Sequence, residues 1–231
     1  MQIEVLIDAD AVAQRAAEFI AAEAQAAIAA RGRFSVALSG GRTPWQMLRA
    51  LAALPLPWAQ MHVFQVDERV APPGDADRNL THIEASLRNA AGPVPVNLHA
   101  MPVNDADLDA AALRYARGLE AIAGSPPMLD LVHLGLGPDG HTASLVPKDP
   151  VLGAATDVAI TAPYMGHRRL TLTYPVLDRA RRVLWLVTGA EKVPMLARLR
   201  AGDRTIPAGR VESAHAVILA DRDATGTSSA S

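Results

Sequence analysis

The chain has 231 residues, half of them apolar, with 22 Lys and Arg against 24 Asp and Glu, a formal charge of −2, and no cysteine. This length and apolar content suit a single α/β domain with a sizeable core, and the near balance of charge gives no case for a nucleic-acid or polyanion partner. The lack of cysteine excludes disulfides, thiolate nucleophiles and Cys-ligated zinc.

In chain order, Ile3 to Ile7 alternates as a strand should, and Asp8 or Asp10 can cap an Ala-rich helix that Gly32 ends. Phe34–Leu38 reads as the next strand, followed by Ser39-Gly40-Gly41-Arg42-Thr43-Pro44 and a helix to about Leu54. Met61 to Val66 is a third strand ending in Asp67-Glu68-Arg69. A loop then leads through Asp77-Arg78-Asn79 to another helix. Leu98 to Met101 is expected as a short strand, Asp105 to Ile122 as a helix, and Met128 to Leu134 as a buried strand. Val158–Thr161, Arg169–Thr173, Val183–Val187 and Ala214–Leu219 follow as strands, with a helix from Gly189 to about Leu199. The small, polar chain from Asp221 is expected to fray, giving a domain over 1–222 and a flexible tail over 223–231. No apolar run approaches the roughly 18 residues that span a bilayer, and the first residues lack the pattern of a secretory leader. A cytoplasmic protein without membrane contact is expected.

Strands alternating with helices predict a mostly parallel, doubly wound, Rossmann-like sheet with helices on both faces. Ligands of such sheets bind beyond the carboxyl ends of the strands. Ser39–Thr43, Asp67–Arg69, Gly135–His141 and Gly189–Lys192 each follow an expected strand, which places four polar or glycine-rich clusters on one edge.

Each cluster suggests a chemistry. Ser39, Gly40, Gly41, Arg42 and Thr43 offer hydroxyls and backbone N–H groups at a helix N-terminus, the shape of a phosphate cradle, although not a Walker A loop. In Asp67-Glu68-Arg69, the Arg can steer a charged substrate while a carboxylate holds it. Gly135 to Gly140 matches G-x-G-x-x-G on paper, but Pro138, Pro147 and Pro150 argue against a dinucleotide site. In the same loop, Asp139 two residues before His141 can set the tautomer of a general base. The remaining histidines are scattered, so no metal is expected, and Ser144 lacks a nucleophile elbow. Arg169 and Lys192 are the cations that would strengthen a phosphate site.

These clusters, in this order, resemble the 6-phosphogluconolactonase family, within the wider group of sugar-phosphate isomerases and deaminases. The resemblance rests on Ser39 to Pro44, Asp67-Glu68-Arg69, Asp77-Arg78-Asn79 and Gly135 to Pro147, and on Arg169 to Thr173, Gly189 to Lys192 and Ile206-Pro207-Ala208. The block Asp139-Gly140-His141-Thr142-Ala143-Ser144-Leu145 is the most specific. The resemblance implies hydrolysis of 6-phospho-D-glucono-1,5-lactone without a cofactor; a monomer or small homo-oligomer is expected. His141 would be the base and Asp139 its orienting partner. Gly40, Gly41, Thr43, Arg42, Arg169 and Lys192 would take the phosphate. Arg69 would line the sugar end, with Ser39, Asp67 and Gly137 completing the site.

The chain departs from the family pattern at Pro163-Tyr164-Met165-Gly166-His167, where relatives often carry a lysine; His167 or Arg168 is the expected substitute. A deaminase would carry an acidic residue between His141 and Pro147, and none is present. A non-catalytic sugar-phosphate sensor would lack the base, and His141 is retained.

Overall fold

The computed structural model describes residues 1–89, 92–212 and 214–227. Its strands are β1 (Gln2–Leu6), β2 (Phe34–Leu38), β3 (Met61–Gln65), β4 (Asp67–Arg69), β5 (Arg88–Asn89), β6 (Gly92–Pro93), β7 (Asn97–His99), β8 (Leu131–Gly135), β9 (Val158–Ile160), β10 (Arg169–Leu172), β11 (Val183–Val187) and β12 (Ala216–Asp221). Its helices are α1 (Ala9–Arg31), α2 (Arg42–Ala52), α3 (Asn79–Ser86), α4 (Leu108–Ala123), α5 (Tyr174–Arg179), α6 (Val193–Arg200) and α7 (Arg222–Thr225).

Local chemistry sets the ends of these elements. The Asp8 carboxylate accepts the Ala11 N–H at 2.8 Å and starts α1, while Gly32 ends it at φ 75°. The small residues of α1, Ala13, Ala16, Ala17 and Ala24 among them, are buried and let it lie close against α2. β2 and β11 are buried at every position, which explains why they are apolar throughout except at Ser35, whose hydroxyl donates to the Asp130 carboxylate at 2.9 Å. Alternate residues of these strands serve opposite cores. Val36, Leu131 and Leu184 pack with α1, α2 and α3, and Ala37, Val132 and Trp185 pack with α4, α5 and α6.

The main sheet has the order β1-β12-β11-β8-β2-β3-β7, and every neighbouring pair in it is parallel. From β2 the chain winds through β3 and β7 to one side, then crosses back to β8 and winds through β11 and β12 to the other. The connections therefore part between β2 and β8, leaving a crevice at their carboxyl ends. The doubly wound sheet expected from the sequence is present.

Several elements differ from expectation. Asp67–Arg69 and Arg169–Leu172 do not extend the parallel sheet. They pair antiparallel as β4 and β10, with β9 on the far side of β10, in a separate three-stranded sheet. The short hairpin of β5 and β6 and the helix α5 were not anticipated. The helix expected from Gly189 is a 3₁₀ turn, Ala190–Lys192, followed by α6. The chain after Asp221 does not fray at once. Asp221 accepts the Ala224 N–H at 2.7 Å, α7 forms, and Ala224 is fully buried, so folded structure continues past position 222. Residues 228–231 of the expected tail lie outside the described residues.

Directly beneath the crevice sits His133 on β8, fully buried, its Nδ1 accepting the Ser39 N–H at 3.2 Å. Burial pushes its pKa down from 6.5 to about 3, so it stays neutral in the folded protein. Below pH 6.5 the unfolded chain gains a proton that the folded chain refuses. Stability from this group is therefore complete above that pH and declines by about 1.4 kcal/mol per unit on acidification toward pH 3. His133→Gln retains an acceptor and abolishes this component. The expected result in urea titrations is a wild-type stability that falls faster than the variant's from pH 6.5 to 4.5. Parallel pH dependences of the two proteins would refute the assignment.

Candidate active site

Four chain segments converge on the crevice. The first leaves β2 as Ser39-Gly40-Gly41 and enters α2. Gly41 has φ 136°, and no side chain caps the helix, which leaves the backbone N–H groups of Arg42 and Thr43, ahead of Pro44, without a capping side chain beside the crevice that both residues line. A Cβ on Gly40 would lie 2.1 Å from Asn79 Oδ1, so a larger residue would displace the buried Asn79 side chain that donates to Asp67. The Thr43 hydroxyl is tied to that of Thr188, at the end of β11, at 2.9 Å.

The second segment, β4 and the turn into α3, is organised by Glu68. Its buried carboxylate accepts the N–H groups of Arg69, Asn79 and Leu80 and the Gln65 side-chain amide, all at 2.8 to 2.9 Å. Arg78 Nε lies 3.3 Å from the same carboxylate. Asp67-Glu68-Arg69 and Asp77-Arg78-Asn79 are thus two halves of one device. Asn79 in turn donates to the Asp67 carbonyl at 2.9 Å. In the antiparallel register Arg69 stands opposite Arg169 and Asp67 opposite Thr171. Directly opposed residues project from the same face, so Asp67, Arg69 and Arg169 make one wall.

The third segment is the loop after β8. Gly137 N–H donates to the His141 carbonyl at 2.8 Å, and Gly140 N–H to the Gly137 carbonyl at 3.0 Å, curling the loop on itself. His141 Nδ1 lies 2.5 Å from Asp139 Oδ1, which also accepts the His141 backbone N–H at 3.1 Å. Partial burial raises the Asp139 pKa, but the His141 backbone hydrogen bond and the imidazole's charge outweigh it and leave a net lowering. Gly140 has φ 83°, and a Cβ there would come 2.7 Å from Ile206 Cβ, which explains why Ile206-Pro207-Ala208 accompanies this loop. Further along, buried Ser144 ties the loop to the wall. Its hydroxyl donates to Asp67 Oδ2 at 2.5 Å and its N–H to Thr171 Oγ1 at 3.2 Å. It serves as a buried hydroxyl, as the lack of a nucleophile elbow suggested.

The fourth segment follows β11. Gly189, at φ 100°, donates its N–H to the Asp221 carboxylate at 3.0 Å, and Lys192 reaches the crevice from the 3₁₀ turn.

Together these segments enclose a cavity of about 550 Å³. Ser39, Gly40, Gly41, Arg42, Asp67, Arg69, Gly137, His141, Arg169 and Lys192 all line it. Thr43 does not, but lines an adjoining space of about 720 Å³ that shares Gly40, Gly41, Arg42 and Lys192 with the first. Asp139 lies outside the lining, beside His141. Four cations against one carboxylate, Asp67, make the chamber electropositive. Arg169 is buried and its Nε has no hydrogen-bond partner among the described residues. Burial lowers its pKa, opposed by Asp67 and reinforced by Arg69.

Neither His167 nor Arg168 lines the cavity. His167 lies 3.3 Å from the Asp77 carboxylate and 3.3 Å from the Val70 carbonyl. Sequence reasoning did not single out Trp45 and His82, whose rings stack 5.2 Å apart and line the chamber. Asn79 also lines it, and the Asp77-Arg78-Asn79 motif was the signal for it.

A doubly wound α/β sheet with a polar cleft at its strand-order switch defines a small-ligand-binding protein of the open-sheet class. The chain belongs to the glucosamine-6-phosphate isomerase/6-phosphogluconolactonase family, whose model matches residues 7–220. It is 36% identical over 203 residues to a 6-phosphogluconolactonase of Nostoc sp., covering 86% of this chain and 85% of that one. It is also 36% identical over 238 residues to a 6-phosphogluconolactonase of Mycobacterium tuberculosis, covering 96% of each. The crystal structure of 6-phosphogluconolactonase from Thermotoga maritima superposes with a TM-score of 0.83 at 26% identity, over 95% of this chain and 98% of that one.

Proposed function

We propose that this protein hydrolyses 6-phospho-D-glucono-1,5-lactone to 6-phospho-D-gluconate, the second step of the oxidative pentose phosphate pathway, with His141 as general base. The observation that carries the reading is the Asp139–His141 pair beside an electropositive chamber, in a chain 36% identical to proteins named for this reaction.

The geometry supports a simple mechanism. With His141 Nδ1 held by Asp139, Nε2 is the nitrogen left to take a proton from water as its oxygen attacks the lactone carbonyl. The carbonyl becomes a tetrahedral oxyanion, which backbone N–H groups of the glycine loops would stabilise. Collapse breaks the bond to the ring oxygen, and the imidazolium returns its proton there, giving the open acid. The phosphate would rest at the first turn of α2 with Arg42, Arg169 and Lys192, and Arg69 would face the sugar. No cofactor enters this scheme. The family's other reaction, on an amino sugar phosphate, is disfavoured because the segment from His141 to Pro147 carries no acidic residue.

Among the described residues no helix is long and apolar enough to cross a membrane. The proposal carries with it a cytoplasmic location and action as a monomer or small homo-oligomer, without nucleic acid. The test is acid release from freshly generated lactone in a pH-stat, against the spontaneous rate. Catalysed release is the expected result; a wild-type trace that coincides with the blank overturns the reading.

A further inference from the structure

The loop between β9 and β10 holds a device that the proposed mechanism does not use. Residues 164 to 167 form a tight hairpin, with Tyr164 and His167 exchanging backbone hydrogen bonds at 2.9 and 3.2 Å. At its tip Met165 and Gly166 have φ 48° and 84°, the left-handed pair of a type I′ turn. A non-glycine residue held at positive φ is strained, and such strain persists only where the surroundings over-determine it. Met165 itself is exposed, so the turn is held for what it does to its neighbours.

What it does is bring Tyr164 onto the catalytic pair. The Tyr164 hydroxyl lies 3.4 Å from Asp139 Oδ2, the oxygen that His141 leaves unused, since Nδ1 and the backbone N–H both go to Oδ1. The Tyr164 ring meets the His141 ring edge-on at 5.8 Å and 68°. Its other neighbour is the Arg169 guanidinium, 5.2 Å from the ring centroid, which also approaches the Tyr164 carbonyl at 3.5 Å. Tyr164 does not line the chamber, whereas His141 and Arg169 both do. Its contacts are therefore with the machinery.

We propose that Tyr164 is the positioning residue of this site, its hydroxyl fixing the free oxygen of Asp139 so that the carboxylate holds His141 in one orientation, and its ring seating the Arg169 cation. The inference rests on the lactonase reading for its kinetic consequence and on geometry alone for the contact. The hydroxyl distance is long for an O–H···O⁻ bond, as catalytic hydrogen bonds often are before substrate arrives.

Tyr164→Phe deletes the hydroxyl and keeps the ring, the hairpin and the arginine contact. A hydrogen bond to a carboxylate favours its ionised form, so its loss makes Asp139 easier to protonate. The expected result is a kcat reduced about tenfold, a KM within about twofold of wild type, and an acid limb of kcat/KM moved to higher pH. Tyr164→Leu, which also removes the ring from Arg169, is expected to raise KM as well. Wild-type kcat with an unmoved acid limb in Tyr164→Phe would overturn the proposal, as would a change confined to KM, the sign of direct substrate contact. A second measurement needs no substrate: the Asp139 carboxyl carbon is titrated by NMR in both proteins. A higher midpoint in Tyr164→Phe supports the contact, and superimposable curves refute it, whatever the wild-type protein does with the lactone.

Discussion

His141→Ala is expected to lower kcat/KM for the phosphorylated lactone by about 10²- to 10⁴-fold, the range for loss of a positioned general base. The residue is partly exposed, and its side-chain hydrogen bond is to its own loop, at Asp139 two residues away. Its removal therefore leaves both cores and the sheet untouched, and thermal melting is expected to move by no more than a few degrees. The lactone is a reactive ester that opens unaided, so the assay must subtract that background. What survives in the variant is the part of catalysis owed to binding and oxyanion stabilisation. Undiminished turnover would leave the hydrolase reading in place and remove His141 from it.

Gly137→Ala is expected to cost nearly as much without replacing a functional side chain. The three nearest atoms to a Cβ at this position all belong to the His141 ring: Nδ1 at 2.2 Å, Cε1 at 2.3 Å and Cγ at 2.6 Å. Gly137 does not have a positive φ, so alanine fits the backbone and the closest conflict is with the imidazole. The ring must swing away, breaking its 2.5 Å contact with Asp139. Displacement of a reacting group by about 1 Å can cost about 10²-fold in rate, and a loss of kcat on that scale is expected, with KM little changed. Gly118→Ala, on α4 with nothing within 4 Å of its Cβ, is the matched control and should be indistinguishable from wild type. Equal turnover by Gly137→Ala and the control would show that His141 need not stand where it does.

The parts of this protein that could be read in advance are those whose cause is local. β2, β8 and β11 announce themselves because a strand buried on both faces is predominantly apolar, with Ser35 in β2 and His133 in β8 as the polar exceptions. The Asp139–His141 pair was legible because its partners are two residues apart. The wall that carries Arg69 and Arg169 was not, because the two arginines are brought opposite each other only by a pairing across 100 positions of chain. A three-residue strand such as β4 has no period to detect; its structure comes from Glu68 gathering N–H groups from both ends of a loop. Tyr164 escaped notice for a related reason. Its position depends on a methionine in the left-handed region, which side-chain pattern does not advertise. At the C-terminus a signal was present and underweighted. Asp221 as a cap with Gly226 at the far end, φ 68°, marks a short helix, and its burial of Ala224 is tertiary.

Ser144 joins two sheets that share no strand. The proposed base, His141, follows a strand of the parallel sheet and the paired arginines stand on the antiparallel one, and Ser144 stitches them at Asp67 and Thr171. The cleft is in effect a caliper whose jaws are set by that stitch. A lactone that meets His141 on one jaw and Arg169 on the other is expected to need one fixed separation between its carbonyl and its anion. Lactones with a shorter or longer carbon chain between the two groups are expected to engage one jaw and miss the other, so the frame selects by length in addition to any contact Arg69 makes with the sugar.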